Sequence, residues 1–233
     1  MATTKVTTRK VTLGTEAIKR AAARDPRVLK QLENQFRRFT GREMANVVTD
    51  HFQEAIGHAA RLVDDGVPGA ESGAAPTVRT RFGAVVISYW RALTSRYRAS
   101  KKRNFAGTEG LFWKRSGATG KYLLKVSTGV KSARLSRVKA EPSSATARAQ
   151  VRVSSTITTP FTGDPVIDGL MRNSFVQGEP TFVRGSAGKN LTPAGIVAVM
   201  EAGKGGQPPR PLISQLAAAL GIRAQQALRK IKQ

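Results

Sequence analysis

The feature that most constrains this chain is one long apolar stripe. Met44, Val47, Val48, Phe52, Ala55, Ile56, Ala59 and Val63 recur at the three- and four-residue spacing of a single helix face. The stripe predicts an amphipathic helix of about 22–25 residues, running from Thr40 to about Val63. Thr40-Gly41-Arg42-Glu43 has the form of a capping box, with Thr40 as N-cap and Glu43 reaching back. Gly66, Pro68 and Gly69 end the helix. A helix with one apolar face must bury it, so other elements have to pack there.

The flanking sequence supplies candidates. Residues 1–13 alternate Thr, Val and basic side chains and read as a flexible or partner-binding arm. Ala17, Ile18 and Ala21 open a short helical run that Asp25-Pro26 breaks. Pro26 suits the first turn of a new helix carrying Val28, Leu29, Leu32, Phe36 and Phe39. Phe82 to Trp90 is a compact apolar run that fits a strand or the start of a buried helix. Tyr122–Val138 and Ala145–Thr159 read as paired strands, with Glu141-Pro142-Ser143-Ser144 as the turn. The alternation of Val151, Val153, Ser155 and Ile157 with polar residues is that of a half-buried strand. Helices are expected within Val166–Phe175, from Thr192-Pro193 onward, and over Leu212–Ile231.

The order, helices then strands then a helix, predicts an α+β fold: N-terminal helices packed on an antiparallel β-sheet, with a C-terminal helix. Residues 1–39 are expected as an N-terminal arm with short helices, and 40–233 as a single α+β domain with a basic middle over 79–152.

Charge narrows the partners. The chain carries 39 Lys and Arg against 15 Asp and Glu, a net +24. Between Arg79 and Arg152 there are 18 Lys and Arg but two acids, Glu109 and Glu141. Such an excess attracts polyanions. A solvated basic face, or one paired with an acidic protein neighbour, fits the same numbers. Arg96, Arg98, Lys101, Lys102, Arg103, Lys114 and Arg115 are the candidate DNA-facing residues. Trp90, Tyr97 and Trp113 lie among them and could stack on bases, although core packing is the commoner use of such rings.

Known chemistries find little footing. The chain has no cysteine, which excludes disulfides, thiol nucleophiles and cysteine-bound zinc. His51 and His58 share a helix face with Glu54 between them, but the spacing is not the i, i+4 pair of a helical zinc site. A surface helix face is the expected role. Ser116–Lys121 and Gly185–Asn190 resemble phosphate loops only faintly: their glycines are too close, and no Ser or Thr follows the Lys. Asp64-Asp65 reads as a helix end. No enzyme, metal or cofactor is expected. Neither a secretory signal nor a transmembrane run is visible, so the expected location is the cytoplasm or a particle assembled there.

Three stretches carry a resemblance. They are the Thr40–Val63 helix, Trp90–Tyr97 (WRALTSRY) with the basic stretch and the turn near Ser116-Gly117 behind it, and Val199–Ile213, VMEAGKGGQPPRPLI. Together they resemble the neck and tail-completion proteins of tailed bacteriophages, whose Glu-x-Gly, short loop, Pro-x-Arg-Pro ending is matched by Glu201, Gly203, Pro209, Arg210 and Pro211. The long basic middle and the stretch around Pro160 to Asn190 depart from that pattern. The resemblance implies a structural virion subunit that forms a ring, a hexamer or dodecamer, between portal and tail. Such a ring surrounds double-stranded DNA without reading its sequence, among other neck, portal-side and tail proteins and away from membrane. Trp90, Leu93, Glu201, Gly203, Pro209, Arg210 and Pro211 then become candidate subunit-interface residues. Within the ending, Arg210 is expected to pair with Glu201, in a rigid turn that packs the last helix, serves an intersubunit contact in the ring, or does both. The alternative is a free, basic, non-sequence-specific DNA-binding or packaging protein.

Overall fold

A computed structural model describes residues 3–12, 24–114, 116–143, 150–181, 192–203 and 208–231. The fold is α+β, with N-terminal helices, small antiparallel sheets and a C-terminal helix. The chain divides into two compact units. The first draws on residues 1–49, 132–160 and 225–233, the second on 50–131 and 161–224.

In the first unit, Asp25 accepts the Arg27 N–H at 2.8 Å and starts α1 (Pro26–Arg38), with Pro26 in the first turn. Phe36 is the buried residue of α1, while Phe39, expected on the same stripe, is 74% exposed. Helix α2 spans Thr40–Asp65. Thr40 is its first helical residue and not its cap: the Glu43 N–H donates to the Phe39 carbonyl, so the helical ladder already runs across the expected box.

The sheet of this unit has three strands in the order β1 (Thr3–Thr12), β7 (Gln150–Thr158), β6 (Arg134–Ser143), all antiparallel. Residues 3–12, expected as an arm, are therefore an edge strand paired to β7. On β7, Val151, Val153, Ser155 and Ile157 are buried, following the alternation in the sequence. Helix α1 packs against β6, and Glu33 accepts the Ala140 N–H at 2.8 Å. Thr49 ties α2 to the entry of β6: its hydroxyl donates to Ala45 O and accepts the Ala133 N–H at 2.9 Å. A side chain at Gly41 would run into Leu135.

The second unit begins at Asp50 within α2. Phe52, Ala55, Ile56 and Ala59 are fully buried, and Val63 nearly so. Burying a Phe or Ile side chain stabilises by about 1.5–3 kcal/mol. Here β2 (Val67–Pro68) pairs with β5 (Leu111–Phe112), and β3 (Thr77–Thr80) forms a hairpin with β4 (Gly83–Val86). The strand reading of the Phe82–Trp90 run thus applies to its first part.

Helices α3 (Ser95–Asn104), α4 (Ala118–Thr128), α5 (Pro165–Gln177), α6 (Pro193–Ala202) and α7 (Ile213–Lys230) complete the order. Asp164 caps α5 through the Val166 and Ile167 N–H groups, and Gly178 ends it at φ 72°. Where α7 crosses α5, Gly221 lies so close to the Phe175 carbonyl that no Cβ fits. Helix α7 buries Leu216, Leu220 and Leu228 as expected; Ile231 lies beyond its end and is half-buried.

Two expectations need correction. The expected strand over Tyr122–Val138 is in fact helix α4 followed, after Gly129, by β6. Gly117, at φ 78°, starts the helix, and Leu123 is its buried apolar anchor. Glu141, Pro142 and Ser143 belong to β6, and the connection to β7 falls on 144–149, outside the described residues. The helical run at Ala17–Ala21 and the loop Gly185–Asn190 also lie outside them.

Candidate functional site

The junction between α6 and α7 holds the motif residues. Thr192 caps α6 by accepting the Gly195 N–H at 3.1 Å. The helix stops at Gly203, whose φ of 70° suits glycine. Two residues earlier, Glu201 is fully buried. Its Oε1 accepts the N–H groups of Leu212 (2.9 Å) and Ile213 (2.6 Å). Its Oε2 accepts the Ser214 N–H (3.2 Å) and hydroxyl (2.6 Å). The first turn of α7 thus finds its missing acceptors on one carboxylate, where the helix dipole also favours negative charge. Burial raises the Glu201 carboxyl above its ordinary value, and the Ser214 hydroxyl and backbone donors offset part of that.

The expected Glu201–Arg210 pair does not form. Arg210 is buried at 2% exposure, and its guanidinium lies over the Phe112 ring, 5.4 Å from the centroid. It donates to Pro208 O at a long 3.4 Å, and its Nε has no partner among the described residues. Burial holds its pKa below the ordinary value. Trp90, fully buried, packs edge-on to Phe112 and donates to Pro211 O at 3.3 Å. Leu93 and Pro211 are buried, Gly203 is half-buried, and Pro209 is exposed. Trp90, Leu93, Glu201, Arg210 and Pro211 therefore hold the interior of their own unit and are not free for a subunit contact. The packing reading of the motif is the one the geometry fits.

Beside this junction is a cavity of about 170 Å³. Leu93, Phe112, Ile196, Val199 and Met200 supply apolar wall, and Lys101, Lys114 and Arg210 supply charge. Trp113 also lines it. Among the described residues it is the one non-glycine at positive φ, 62°, and its indole N–H has no partner.

The basic candidates separate. Arg96, Lys102 and Arg103 are exposed on α3. Arg98 pairs with Glu71 at 2.9 Å. Lys101, expected to face DNA, is 3% exposed and donates to Leu111 O at 2.6 Å, because its stem runs inward along α3. Lys114 is half-buried, and Arg115 lies outside the described residues. Tyr97 is half-buried and lines the cavity.

A second basic surface was not singled out by sequence reasoning. On the solvent side of the three-stranded sheet, Arg134 stands opposite Thr158, Arg137 opposite Thr156, Lys139 opposite Ser154, and Arg152 opposite Glu141. The register of β1 sets Lys5 opposite Thr156 and Lys10 opposite Arg152. The exposed rungs at Thr158, Thr156, Ser154 and Arg152 thus each carry a cation. Glu141 is ion-paired with Lys139, whose hydrogen bond holds the carboxyl below its usual range. The alternation in Val151–Ile157 pointed to one buried face, and Arg152, Ser154 and Thr156 between mark the other.

The histidines differ from the expected surface face. His51 is 4% exposed and stacks on Phe82, ring centroids 3.5 Å apart. His58 bonds to Glu54 at 3.0 Å, and Glu54 also accepts the Arg81 N–H. Among the described residues, no three His, Asp or Glu gather to hold a metal. Ser116–Lys121 forms the start of α4, and Gly120 there packs against the backbone of Asp64. No described helix is long and apolar enough to cross a membrane.

Comparison with protein-family models, curated proteins and solved structures finds no match to this chain.

Proposed function

We propose that the chain is a structural, non-enzymatic subunit of a tailed-bacteriophage particle. In this reading it is a neck or tail-completion ring protein of the virion that presents its basic sheet face to the DNA channel. One observation carries the DNA-facing part: the ladder of Arg134, Arg137, Lys139 and Arg152 across β6 and β7. Cations on four successive exposed rungs of β6 and β7 suit phosphate contact without base readout. The phage assignment rests on the resemblance of the Val199–Ile213 ending and of the order of elements. Since most of that ending is buried, ring contacts fall to other surfaces. Val86 (71% exposed) and Tyr89 (62%) are the exposed apolar side chains of the β4 region that suit them.

The test is the mass of the purified protein by light scattering, with and without duplex DNA. A hexamer or dodecamer with weak, salt-sensitive DNA affinity is expected, and Val86→Glu with Tyr89→Glu should lower the mass. Removing Arg134, Arg137 and Arg152 together should reduce the slope of log affinity against log salt by about 1 per side chain. A monomer or dimer that binds duplex tightly favours the second reading, a free DNA-binding or packaging protein, which the same basic face supports.

A further inference from the structure

The cavity beside the α6–α7 junction is lined by two buried donors, Arg210 Nε and Trp113 Nε1, that have no partner among the described residues. Among the described residues its lining includes three cationic residues, Lys101, Lys114 and Arg210, and no carboxylate. Glu201, the acid nearest to Arg210 in sequence, is committed to the first turn of α7, and Glu109, the acid nearest to Lys101 and Lys114, has a buried Oε2 without a partner among the described residues but does not line the cavity. Lys101 is committed to the Leu111 carbonyl. Arg210 is 98% buried by its 2% exposure, yet has one long hydrogen bond and an unpartnered Nε. Trp113 is also more than nine-tenths buried, lines the same space, and has an unpartnered indole N–H. Buried donors are ordinarily satisfied, and a buried guanidinium without a counter-ion is costly. The strained backbone of Trp113 is a second sign, since positive φ at a bulky residue persists where the site it serves is held in place.

The geometry points to this cavity as a binding site for a carboxylate carried on a short apolar body. Size and chemistry both select that class. A cavity of roughly 150 Å³ holds a benzene ring, so about 170 Å³ accepts a ligand of benzoate size. The apolar wall of Phe112, Ile196, Val199 and Met200 suits the body. A planar guanidinium fork suits a planar carboxylate, and the indole N–H offers a further donor. A phosphate dianion, more strongly hydrated and without an apolar part, would leave that wall unused. The carboxylate can arrive on a free small acid or at the end of another polypeptide chain. The inference does not rest on the phage reading or on the basic sheet face.

The test is titration of the full chain with benzoate, benzamide, a short peptide ending in a free Phe carboxylate, and the same peptide amidated. Calorimetry and tryptophan emission are read together. Saturable binding of benzoate at one per chain, at least tenfold tighter than benzamide, is expected. Arg210→Met should weaken benzoate at least tenfold. If that variant does not fold, Lys114→Met, at a half-buried position, should weaken it several-fold with the circular dichroism unchanged. Benzoate binding with no preference between the two peptides assigns the site to a free acid. Binding of the free-carboxylate peptide over its amide assigns it to a chain end. Equal affinity for benzoate and benzamide, or no saturable binding of benzoate or the acid peptide, overturns the inference.

Discussion

Glu201 and Arg210 stand at the two ends of one connection, both buried, with opposite charge and opposite circumstances. Glu201 accepts four hydrogen bonds and spends both oxygens on its own fold. Arg210 makes one long bond and covers an aromatic ring. The carboxylate is thus a structural part of the junction between α6 and α7. The guanidinium is a buried charge with unused capacity. Identity and burial alone do not separate these roles; the count of satisfied groups does.

The comparison breaks most visibly at Glu201. Glu201→Ala removes the acceptors of three backbone N–H groups and one hydroxyl, in a site with no water access. Loss of about 3–5 kcal/mol of stability is expected, read by urea unfolding. Glu201→Gln keeps one carbonyl but sets an amide N–H₂ against the Ser214 donors, and about 1–3 kcal/mol should be lost. Arg210→Met should do far less, because replacing an ill-paired buried charge with an apolar side chain is often neutral or stabilising. A change within about 1 kcal/mol is expected. A loss at Arg210 as large as that at Glu201 would make the guanidinium a structural group and remove the contrast.

How much of this was legible in the sequence varies with the physics that decides each element. Helix α2 and strand β7 were readable because a long apolar period admits one geometry. Asp25-Pro26 and Thr192-Pro193 mark the starts of α1 and α6 because a capping side chain followed by proline fixes a helix start locally. Helix α4 was misread because Tyr122, Leu124 and Val126 also satisfy a strand period, and its packing against Asp64 is a tertiary fact. At the site, Glu201 and Arg210 were singled out as a pair and as interface candidates, whereas both are buried and the pair does not form. A carboxylate near a following helix can meet either a nearby arginine or that helix's free N–H groups, and spacing does not choose between them. Lys101 was unreadable for a similar reason: a basic run gives no sign of which stem folds inward. Helix α6 did offer a signal for the cavity. Its apolar residues surround it, with Val197 and Ala198 buried on one side and Ile196, Val199 and Met200 left facing the cavity.

The smallest expected effect sharpens the comparison by pH. Glu54 is the counterpart of Glu201 on α2. Burial pushes its carboxyl up, but the Arg81 N–H, the His58 bond and the charges of both outweigh this and hold it below its ordinary value. Glu201 is displaced upward, by burial. A carboxyl lowered in the folded chain contributes stability that is present above its unfolded value and lost as pH falls through the folded value. A carboxyl raised in the folded chain contributes stability that is present below the unfolded value and lost as pH rises through the folded value. The unfolded reference is 4.5 for both. The stability difference between the native chain and Glu54→Gln should therefore shrink as pH drops below that value. The difference for Glu201→Gln should instead shrink as pH rises above it. Urea unfolding of the three proteins across the acid range, at constant ionic strength, reads both slopes. Opposite signs mean that the donors around Glu201 do not fully offset its burial, whereas those around Glu54 do. A shared sign would place the two carboxyls in the same class and show that the four bonds to Glu201 outweigh the cost of removing it from water.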